Sequence, residues 1–514
     1  MHSVPEQFNA TSFFVDRHLT EGRGARTAFR FGGRAVSYAQ VAESVDRCGN
    51  ALAELGVEIE QRVLLVLNDT PAFAAAFWGA AKLGAVAVPV NPLMTPAEYE
   101  FLLNDSRARV AVVEESVAPR LLAVRHRCPA LRAVVTVGGA PLPGALALDD
   151  LLAAAKPSLA PAPTSREDVM YWGYTSGSTG PPKAAVHSHK DFVAAADLVG
   201  VGVFGLEADD VVFSASKLFF AFGLGNSLYF PARVGGTSVL VPERIDAERA
   251  FEVIDAERPT VFFTVPTLYA RMLAVEEVER RFDLSSLRYC VSSGEALPPA
   301  LFDAWAERFG LELVEVVGST EALHDFIANR PGAARRGAAG RLVPGFEARV
   351  LDDAGAPVPP GTIGHLLIKG EPTSPYYWNR LDRTRATMQG EWLRTGDMFS
   401  CDADGFFYFA GRADDMLKVA GMWVSPAEIE AQLAEHPAVL EAGVVGVADG
   451  QGLTRPHAFV VLKPGHAASD VLAAELTDFV RKRGGHRTPA AVRFVGELPK
   501  TATGKVQRFR LRSA

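Results

Sequence analysis

The sequence has little of what marks a secreted or a nucleic-acid-binding protein. It has four cysteines, none at a paired spacing: Cys48, Cys128, Cys290 and Cys401. We therefore expect no disulfide framework and no cysteine-based zinc site, and a reducing cytoplasm is the simplest setting. Lys and Arg total 52 against 60 for Asp and Glu, a formal net charge of -8. Without a basic excess, a nucleic acid partner is not expected.

Long hydrophobic runs are also missing. The most apolar early stretch, 72–90, is interrupted by Lys82 and Pro89 and is rich in Ala and Gly, which is typical of a buried helix followed by a strand. The first residues contain acids and no apolar segment behind a basic start, and His2 follows Met1. We expect no membrane-spanning segment, no secretory signal and no N-myristoylation.

What the chain does contain is a regular alternation of strands and helices. A length of 514 residues predicts about three domain-sized units. Apolar runs rich in β-branched residues predict strands at 63–67, 85–90, 109–113, 134–137, 210–214 and 261–265, with a helix at 71–83. This rhythm predicts an α/β fold whose doubly wound parallel sheets are covered on both faces. The stretch 138–166, dense in Pro, Ala and Gly, is predicted to be a loop.

The pattern changes after Gly337. Short strands at 346–351, 364–369 and 406–409 are separated by turn sequences, which predicts antiparallel hairpins or a small β-barrel-like subdomain. The last hundred or so residues combine two predicted helices with two predicted strands, enough for a separate small α+β domain. The helices are at 426–435 and 469–482, and the strands at 438–447 and 455–462.

Ten residues from Tyr174 to Lys183 concentrate hydroxyls, glycines and a lysine. Glycines let backbone N–H groups turn toward a phosphate, hydroxyls donate to its oxygens, and a lysine neutralises charge. The spacing is not that of a P-loop NTPase, and a flexible Gly/Ser linker is the alternative. An apolar lead-in at 169–171 and a helix-like sequence after Lys183 predict a strand-to-helix turn, where functional loops often lie.

The loop resembles the signature loop of the adenylate-forming enzymes, the superfamily of acyl-CoA and aryl-CoA synthetases, luciferases and peptide-synthetase adenylation domains. Four further segments resemble the family's acidic, ribose, hinge and C-terminal lysine motifs, in its order: 318–321, 395–397, 411–415 and 499–505. The resemblance covers most of the chain. It implies an N-terminal ATP- and acid-binding domain at 1–410, a hinge at 411–415 and a mobile C-terminal domain at 416–514 that carries the catalytic lysine.

The resemblance implies a site for ATP and Mg²⁺. The expected ATP contacts are Thr175, Ser176, Gly177, Ser178, Thr179, Gly180, Lys183, Gly294, Glu295, Ala296, Val317, Gly318, Ser319, Thr320, Asp397 and Arg412. Thr175 is also assigned to catalysis, and Glu321 to catalysis and magnesium, because a hard cation takes oxygen ligands and needs few carboxylates when phosphates supply the rest. Taken singly, Glu321 is an ordinary helix-start residue, Asp397 a turn residue and Arg412 a surface residue. Val317 stands where many family members have an aromatic ring over the adenine.

The remaining implied roles belong to the end of the chain. Lys505 would bridge carboxylate and α-phosphate oxygens, whereas Lys500 should matter much less. Asp414 matches the hinge. Gly421 would let the pantetheine arm of coenzyme A pass close to the backbone, and Trp423 is as compatible with core packing as with the tunnel wall.

The acid pocket is expected along 217–226, a run with three phenylalanines and two glycines. This run and the segments after Gly318 and Asp414 resemble the benzoate-CoA ligase branch, which implies substrate contacts from Phe219, Ala221, Phe222, Gly223, Gly318, His324 and Asp325. That branch commonly has Tyr at position 222 and an aliphatic residue at 325. A carboxylate beside an aryl slot would accept a hydrogen bond from a ring substituent. We therefore expect 2-aminobenzoate, otherwise benzoate or hydroxybenzoate, unless Asp325 faces a backbone donor or solvent.

The sequence thus predicts an ATP-dependent aryl-CoA ligase that acts on a small aromatic carboxylic acid, as a monomer or homodimer. A stand-alone adenylation enzyme that loads a carrier protein would use the same motifs. A non-catalytic nucleotide-binding protein would not need Glu321, Asp397 and Lys505 together. His187 and His189 are interpreted as packing residues, because two histidines without an acidic third ligand make a poor metal site.

Overall fold

The computed structural model describes residues 4–139, 142–175, 181–419, 422–448, 454–484, 488–499 and 506–511. The first of its sheets, called the short sheet here, has neighbouring strands in the order Leu146–Ala147, Ala133–Val137, Val110–Glu114, Arg62–Val66, Val86–Pro89, Val169–Thr175 and Lys183–Ser188. All neighbours are parallel except the last pair, which is antiparallel.

The second sheet, called the long sheet here, begins with the order Glu347–Leu351, Gly364–Lys369, Trp392–Cys401, Phe406–Arg412, Gly340–Leu342, Asp325–Ala328 and Leu313–Gly318. It continues through Tyr289–Ser292, Val261–Thr264, Val211–Ser214, Thr237–Val239, Thr27–Phe31 and Arg34–Ser37, and Met388–Gln389 pairs with Trp392–Cys401. Its middle strands are parallel, and the strands after Gly337 are antiparallel, as predicted. The antiparallel part begins earlier than predicted, with the strand Asp325–Ala328. The predicted barrel-like strands therefore extend the long sheet.

Helices cover both sheets. In the large N-terminal part they are Ser12–Asp16, Arg17–Thr20, Tyr38–Glu54, Pro71–Lys82, Pro96–Ser106, Ala118–Leu122, Arg125–Arg127, Leu148–Ala154, His189–Ala195, Ala196–Val201, Ala221–Leu224, Gly225–Tyr229, Phe230–Val234, Ala247–Glu257, Pro266–Leu273, Val278–Arg281, Pro299–Phe309, Thr320–Ala322 and Leu381–Thr387. Capping boxes at Ser37 and Thr95 start two of them, since a side-chain oxygen there accepts an otherwise unpaired N–H. Their apolar faces pack on the sheets around fully buried Trp78 and Trp305.

The C-terminal part has a hydrophobic core of its own around Ile429, Leu433, Val444 and Val460. Its elements are the hairpin Leu417–Val419 and Met422–Val424, the sheet Val439–Ala448, Thr454–Leu462 and Ala491–Phe494, and the helices Pro426–Ala434, Asp470–Gly484 and Arg508–Leu511. The α+β composition is as predicted.

A few polar contacts tie this part to the residues around the predicted hinge. The Ser425 hydroxyl donates to the carbonyl oxygen of Ala410. Arg508 contacts Glu430 at 2.6 Å and Asp415 at 3.6 Å. The last described helix is thereby bonded to the hinge segment.

One predicted loop is wrong in part. The stretch 138–166 contains the helix Leu148–Ala154, whose first turn holds Asp149 and Asp150. Acidic side chains at a helix start are stabilised by the helix dipole, and this signal outweighs the local Pro, Ala and Gly content. In the described ranges of the chain, we find no helix with the length and apolar character that crossing a bilayer requires.

Candidate active site

The phosphate loop joins two strands. Thr175 and Lys183 are register partners at the loop end of the antiparallel pair Val169–Thr175 and Lys183–Ser188, so both lie at the same edge of the short sheet. The predicted strand-to-helix turn is wrong, because residues 183–188 are extended. Ala184, Ala185 and Val186 are all buried, and sheet pairing overrides the helix preference of alanine. Ser176, Gly177, Ser178, Thr179 and Gly180 lie outside the described residues.

Lys183 lies beside Glu321, and a tyrosine stands between them. The Lys183 Nζ donates to the Tyr377 hydroxyl at 2.7 Å, and that hydroxyl donates to Glu321 Oε1 at 2.5 Å. The distance from Lys183 Nζ to Glu321 Oε1 is 3.8 Å. Burial and the Glu321 charge raise the pKa of Tyr377, and burial lowers that of Lys183. Sequence reasoning missed Tyr377, because a tyrosine after Ser-Pro carries no signal of its own.

Glu321 lies in the three-residue 3-10 helix Thr320–Ala322, where the Ser319 hydroxyl accepts the N–H of Ala322. It is therefore a helix-start residue whose carboxylate also faces a lysine. Among the described residues, no cluster of three or more His, Cys, Asp or Glu could hold a metal ion. A single carboxylate fits Mg²⁺ that keeps waters and takes its other ligands from phosphates.

Asp397 and Arg412 form the second charged pair. They are register partners on neighbouring strands of the long sheet, and Arg412 Nη1 donates to Asp397 Oδ1 at 2.8 Å. Asp397 is buried, whereas half of the Arg412 side chain is exposed. The Thr395 hydroxyl accepts the N–H of Asp397 at 3.1 Å, which fixes the Thr-Gly-Asp turn. Each residue therefore has the partner that a lone turn Asp or surface Arg would lack.

The predicted adenine loop lies beside the strand Leu313–Gly318, which carries Val317 and Gly318. Gly294, Glu295 and Ala296 follow the parallel strand Tyr289–Ser292, so both sets lie at the carboxyl edge of the long sheet, where α/β proteins bind ligands. Gly294 has a φ of +85°, a conformation that favours glycine.

Side chains anchor this loop at both ends. Glu295 accepts from the Thr267 hydroxyl at 2.8 Å, and the N–H of Leu297 donates to Glu315 at 3.0 Å. Burial raises the pKa of Glu315 to about 8.

The acid pocket brings Phe222, Gly318, His324 and Asp325 together. His324 and Asp325 are almost fully buried, with His324 Nδ1 2.9 Å from Asp325 Oδ2. The Phe222 ring lies 5.5 Å from the His324 ring. A Cβ on Gly318 would lie 2.6 Å from Asp325 Oδ1, so this wall admits no larger residue without movement.

For three other predicted pocket residues, Gly223, Ala221 and Phe219, the structure shows contacts within the protein. A Cβ on Gly223 would come 2.1 Å from the Lys217 carbonyl oxygen, so this glycine is required by a close helix–loop approach. Ala221 starts the short helix Ala221–Leu224. The Phe219 ring contacts exposed Phe220 at 4.6 Å, and its place beside the acid stays a prediction.

Sequence reasoning also missed Asp69. This buried carboxylate follows a short-sheet strand, accepts the N–H of Leu218 at 2.9 Å and lies 3.7 Å from Lys217 Nζ. Lys217 in turn donates to the carbonyl oxygens of Val241 and Glu243. Burial raises the pKa of Asp69 to about 6. The contact fastens the start of the phenylalanine run to the short sheet.

The two histidines after the phosphate loop bond the backbone. His187 Nε2 contacts the Thr320 carbonyl oxygen at 2.8 Å, and His189 Nδ1 accepts the N–H of Ala10 at 3.0 Å. Both are fully buried, which agrees with a packing role.

Two further predicted roles fall at the C-terminal part. Asp414 is exposed next to Arg412. Half-buried Trp423 has its ring 6.4 Å from that of His365 and packs with Met398, Ala410 and Met416. Gly421, Lys500 and Lys505 lie outside the described residues. The hinge, coenzyme A and lysine assignments stay predictions.

Comparisons with known proteins agree with this architecture. Residues 16–378 match the AMP-binding enzyme family and residues 428–505 match the AMP-binding enzyme C-terminal domain. The chain therefore belongs to the AMP-binding enzyme family.

Its relatives define the branch. The chain is 43% identical to the benzoate-CoA ligase of Thauera aromatica, over 99% of this chain and 97% of that one. It is 44% identical to the 4-hydroxybenzoate-CoA/benzoate-CoA ligase of Rhodopseudomonas palustris, over 98% and 94%. The solved structure of the anthranilate CoA ligase AuaEII in complex with anthranoyl-AMP is 43% identical, with a TM-score of 0.94 over 99% of this chain and 98% of that one. Within the family, the protein lies in the benzoate-CoA ligase branch and is an AMP-forming acid–CoA ligase that uses ATP, Mg²⁺ and coenzyme A.

Proposed function

We propose that the protein is an aryl-CoA ligase whose acid is 2-aminobenzoate. The observation that carries this choice is Asp325. Its carboxylate is 2% exposed, and Oδ2 has no hydrogen-bond partner within the described part of the chain, although His324 Nδ1 lies 2.9 Å away out of alignment. A buried carboxylate with unused acceptor capacity favours a ligand that donates.

Plain benzoate offers no donor on its ring. Leaving a buried carboxylate short of a hydrogen bond costs about 1–3 kcal/mol or more, so an unsubstituted ring is a poor match for this pocket. An amino group beside the acid has N–H donors that Asp325 can accept. The Phe222 ring supplies an apolar surface on the same wall, 5.5 Å from the His324 ring.

The reaction has two steps. In the first, an acid oxygen bonds to the α-phosphorus of ATP while the bond to pyrophosphate breaks, which gives aryl-AMP. Lys183 and Asp397–Arg412 would bind the nucleotide, and Glu321 would hold Mg²⁺, which neutralises phosphate charge when bound. In the second step, the thiol sulfur of coenzyme A bonds to the acyl carbon, the thiol proton leaves, and the acyl–oxygen bond to AMP breaks.

The substitution Asp325→Ile tests the substrate. It removes one hydrogen bond to a charged group, worth about 1.5–3 kcal/mol, and it removes an unpaired charge when benzoate is bound. We expect kcat/KM to fall about 10- to 150-fold for 2-aminobenzoate and to rise for benzoate, measured as pyrophosphate release with and without coenzyme A. A parallel loss for both acids would make Asp325 structural and reject 2-aminobenzoate.

A further inference from the structure

Tyr377 occupies a position between two groups of opposite charge. Its hydroxyl has one proton, which is donated to Glu321 at 2.5 Å, so the hydroxyl oxygen accepts from Lys183 at 2.7 Å. The Lys183 ammonium also lies 4.0 Å from the centre of the Tyr377 ring. Tyr377 is 2% exposed, and Lys183 and Glu321 side chains are 21% and 15% exposed. The triad is thus largely withdrawn from water.

The backbone holds this tyrosine firmly in place. Tyr377 forms an antiparallel bridge with Ala185, and its N–H donates to the Thr384 hydroxyl at 3.0 Å. Three residues earlier, the N–H of Ser374 donates to the carbonyl oxygen of Glu321 at 2.7 Å. The segment 374–378 is therefore bonded both to the strand that carries Lys183 and to the turn that carries Glu321.

We infer that Tyr377 is a positioning residue that keeps Lys183 and Glu321 from pairing directly, so that the lysine stays available to phosphate and the glutamate to Mg²⁺. An ammonium and a carboxylate in direct contact bond at about 2.7–2.9 Å, whereas these two stand 3.8 Å apart. A direct pair would neutralise both groups before the nucleotide arrives. The inference rests on the ATP and magnesium roles proposed above for the two residues.

The test is the affinity for Mg²⁺, measured by calorimetry with a saturating non-hydrolysable ATP analogue already bound. Tyr377→Phe keeps the ring and removes the hydroxyl, which lets Lys183 capture Glu321. We expect the Kd for Mg²⁺ to rise about tenfold or more, in line with the loss of a hydrogen bond to a charged group. Tyr376→Phe is the matched control, because the neighbouring tyrosine is 38% exposed, and its Mg²⁺ affinity should equal that of the wild type.

A second pair of variants distinguishes two roles for Tyr377: keeping Lys183 away from Glu321, or only forming its own hydrogen bond to Glu321. In Lys183→Met the glutamate keeps its bond to Tyr377, so the Kd for Mg²⁺ should change much less than in Tyr377→Phe. In the double variant Lys183→Met/Tyr377→Phe no lysine remains to capture Glu321, and the Kd should return toward the wild-type value. Equal Kd values for Tyr377→Phe and the double variant would overturn the inference, as would a Tyr377→Phe chain that does not fold.

The proposed roles can fail separately. If Glu321→Gln leaves the Kd for Mg²⁺ unchanged, the magnesium role of Glu321 is wrong, and the positioning inference falls with it. If Glu321→Gln raises the Kd and Tyr377→Phe does not, only the inference about Tyr377 is wrong.

Discussion

The proposed nucleotide end and the proposed acid end of the site differ in how their buried polar groups are paired. At the nucleotide end, Tyr377 bonds Lys183 and Glu321, and Arg412 bonds Asp397. At the acid end, the buried polar atoms that find no hydrogen-bond partner in the described ranges belong to Asn226, Tyr229, His324 and Asp325. Asn226 and Tyr229 lie on the helical segment that also carries Phe222, and Asp325 starts the neighbouring strand Asp325–Ala328.

This difference reflects what each end must recognise. A triphosphate with Mg²⁺ brings charges of both signs, so charged side chains can exchange partners within the protein for partners on the ligand. A benzoate ring brings few polar atoms. Buried acceptors without a partner weaken the binding of any ring that cannot donate a hydrogen bond to them. A ligand that does donate satisfies these acceptors, and the difference in binding free energy gives specificity.

The largest expected effect is on the first half-reaction. Lys505→Ala removes the lysine that the family resemblance assigns to the developing charge at the α-phosphate. We expect acid-dependent pyrophosphate release to fall at least about 10²-fold, the typical cost of losing one preorganised donor. Lys500→Ala is the matched control and should change little. If both variants behave alike, the catalytic assignment of Lys505 is wrong.

A change at Gly225 should affect the acid end alone. A Cβ there would lie 2.4 Å from the His324 ring and 3.1 Å from the Tyr229 hydroxyl, so Gly225→Ala forces His324 to move. Overpacking costs about 1–3 kcal/mol, and we expect kcat/KM for the aryl acid to fall about 5- to 150-fold with the KM for ATP unchanged. Gly496→Ala, at a glycine with open space around it, is the control. Equal losses toward acid and ATP would mean that the two ends are not independent.

The smallest expected effect concerns stability. Burial raises the pKa of Glu315 to about 8, so the folded protein holds this proton more tightly than the unfolded chain. The resulting stabilisation is complete below the ordinary pKa of 4.5 and is lost as the pH rises through about 8. Between pH 6 and pH 9, the unfolding free energy of the wild type should fall relative to Glu315→Gln by at least about 1.4 kcal/mol, the value of one pKa unit. Guanidinium unfolding at both pH values measures this, and parallel curves would contradict the raised pKa.

The fold was largely predictable because many of its parallel strands, such as Val86–Pro89 and Val261–Thr264, are buried on both faces. The predicted strand 364–369 has the same bounds in the structure, and 63–67 is shifted by one residue to Arg62–Val66. Continuous apolar runs such as 63–67 have few other solutions, whereas 364–369, in which only Ile368 is β-branched, is delimited by the turn residues around it. The strand Lys183–Ser188 was mistaken for a helix start, since its alanines favour a strand only once Tyr171–Thr175 pairs with it.

The site was predictable where a motif holds several chemical groups within a few residues. The Gly-Ser-Thr-Glu and Thr-Gly-Asp segments are of this kind: Arg412 bonds Asp397 and also interacts electrostatically with Glu321. Tyr377 and Asp69 act through contacts with residues far away in the chain. A single tyrosine or aspartate gives no sign of such a partner, so these two required the structure.

The ion pairs of Arg508 connect the last described helix to the predicted hinge. This arginine, in the last described helix, contacts both Glu430 and Asp415. The end of the C-terminal part is therefore tied directly to the predicted hinge. Lys505 comes three positions before Arg508 in the sequence. A truncation after residue 507 would therefore remove a side chain that contacts the predicted hinge at Asp415.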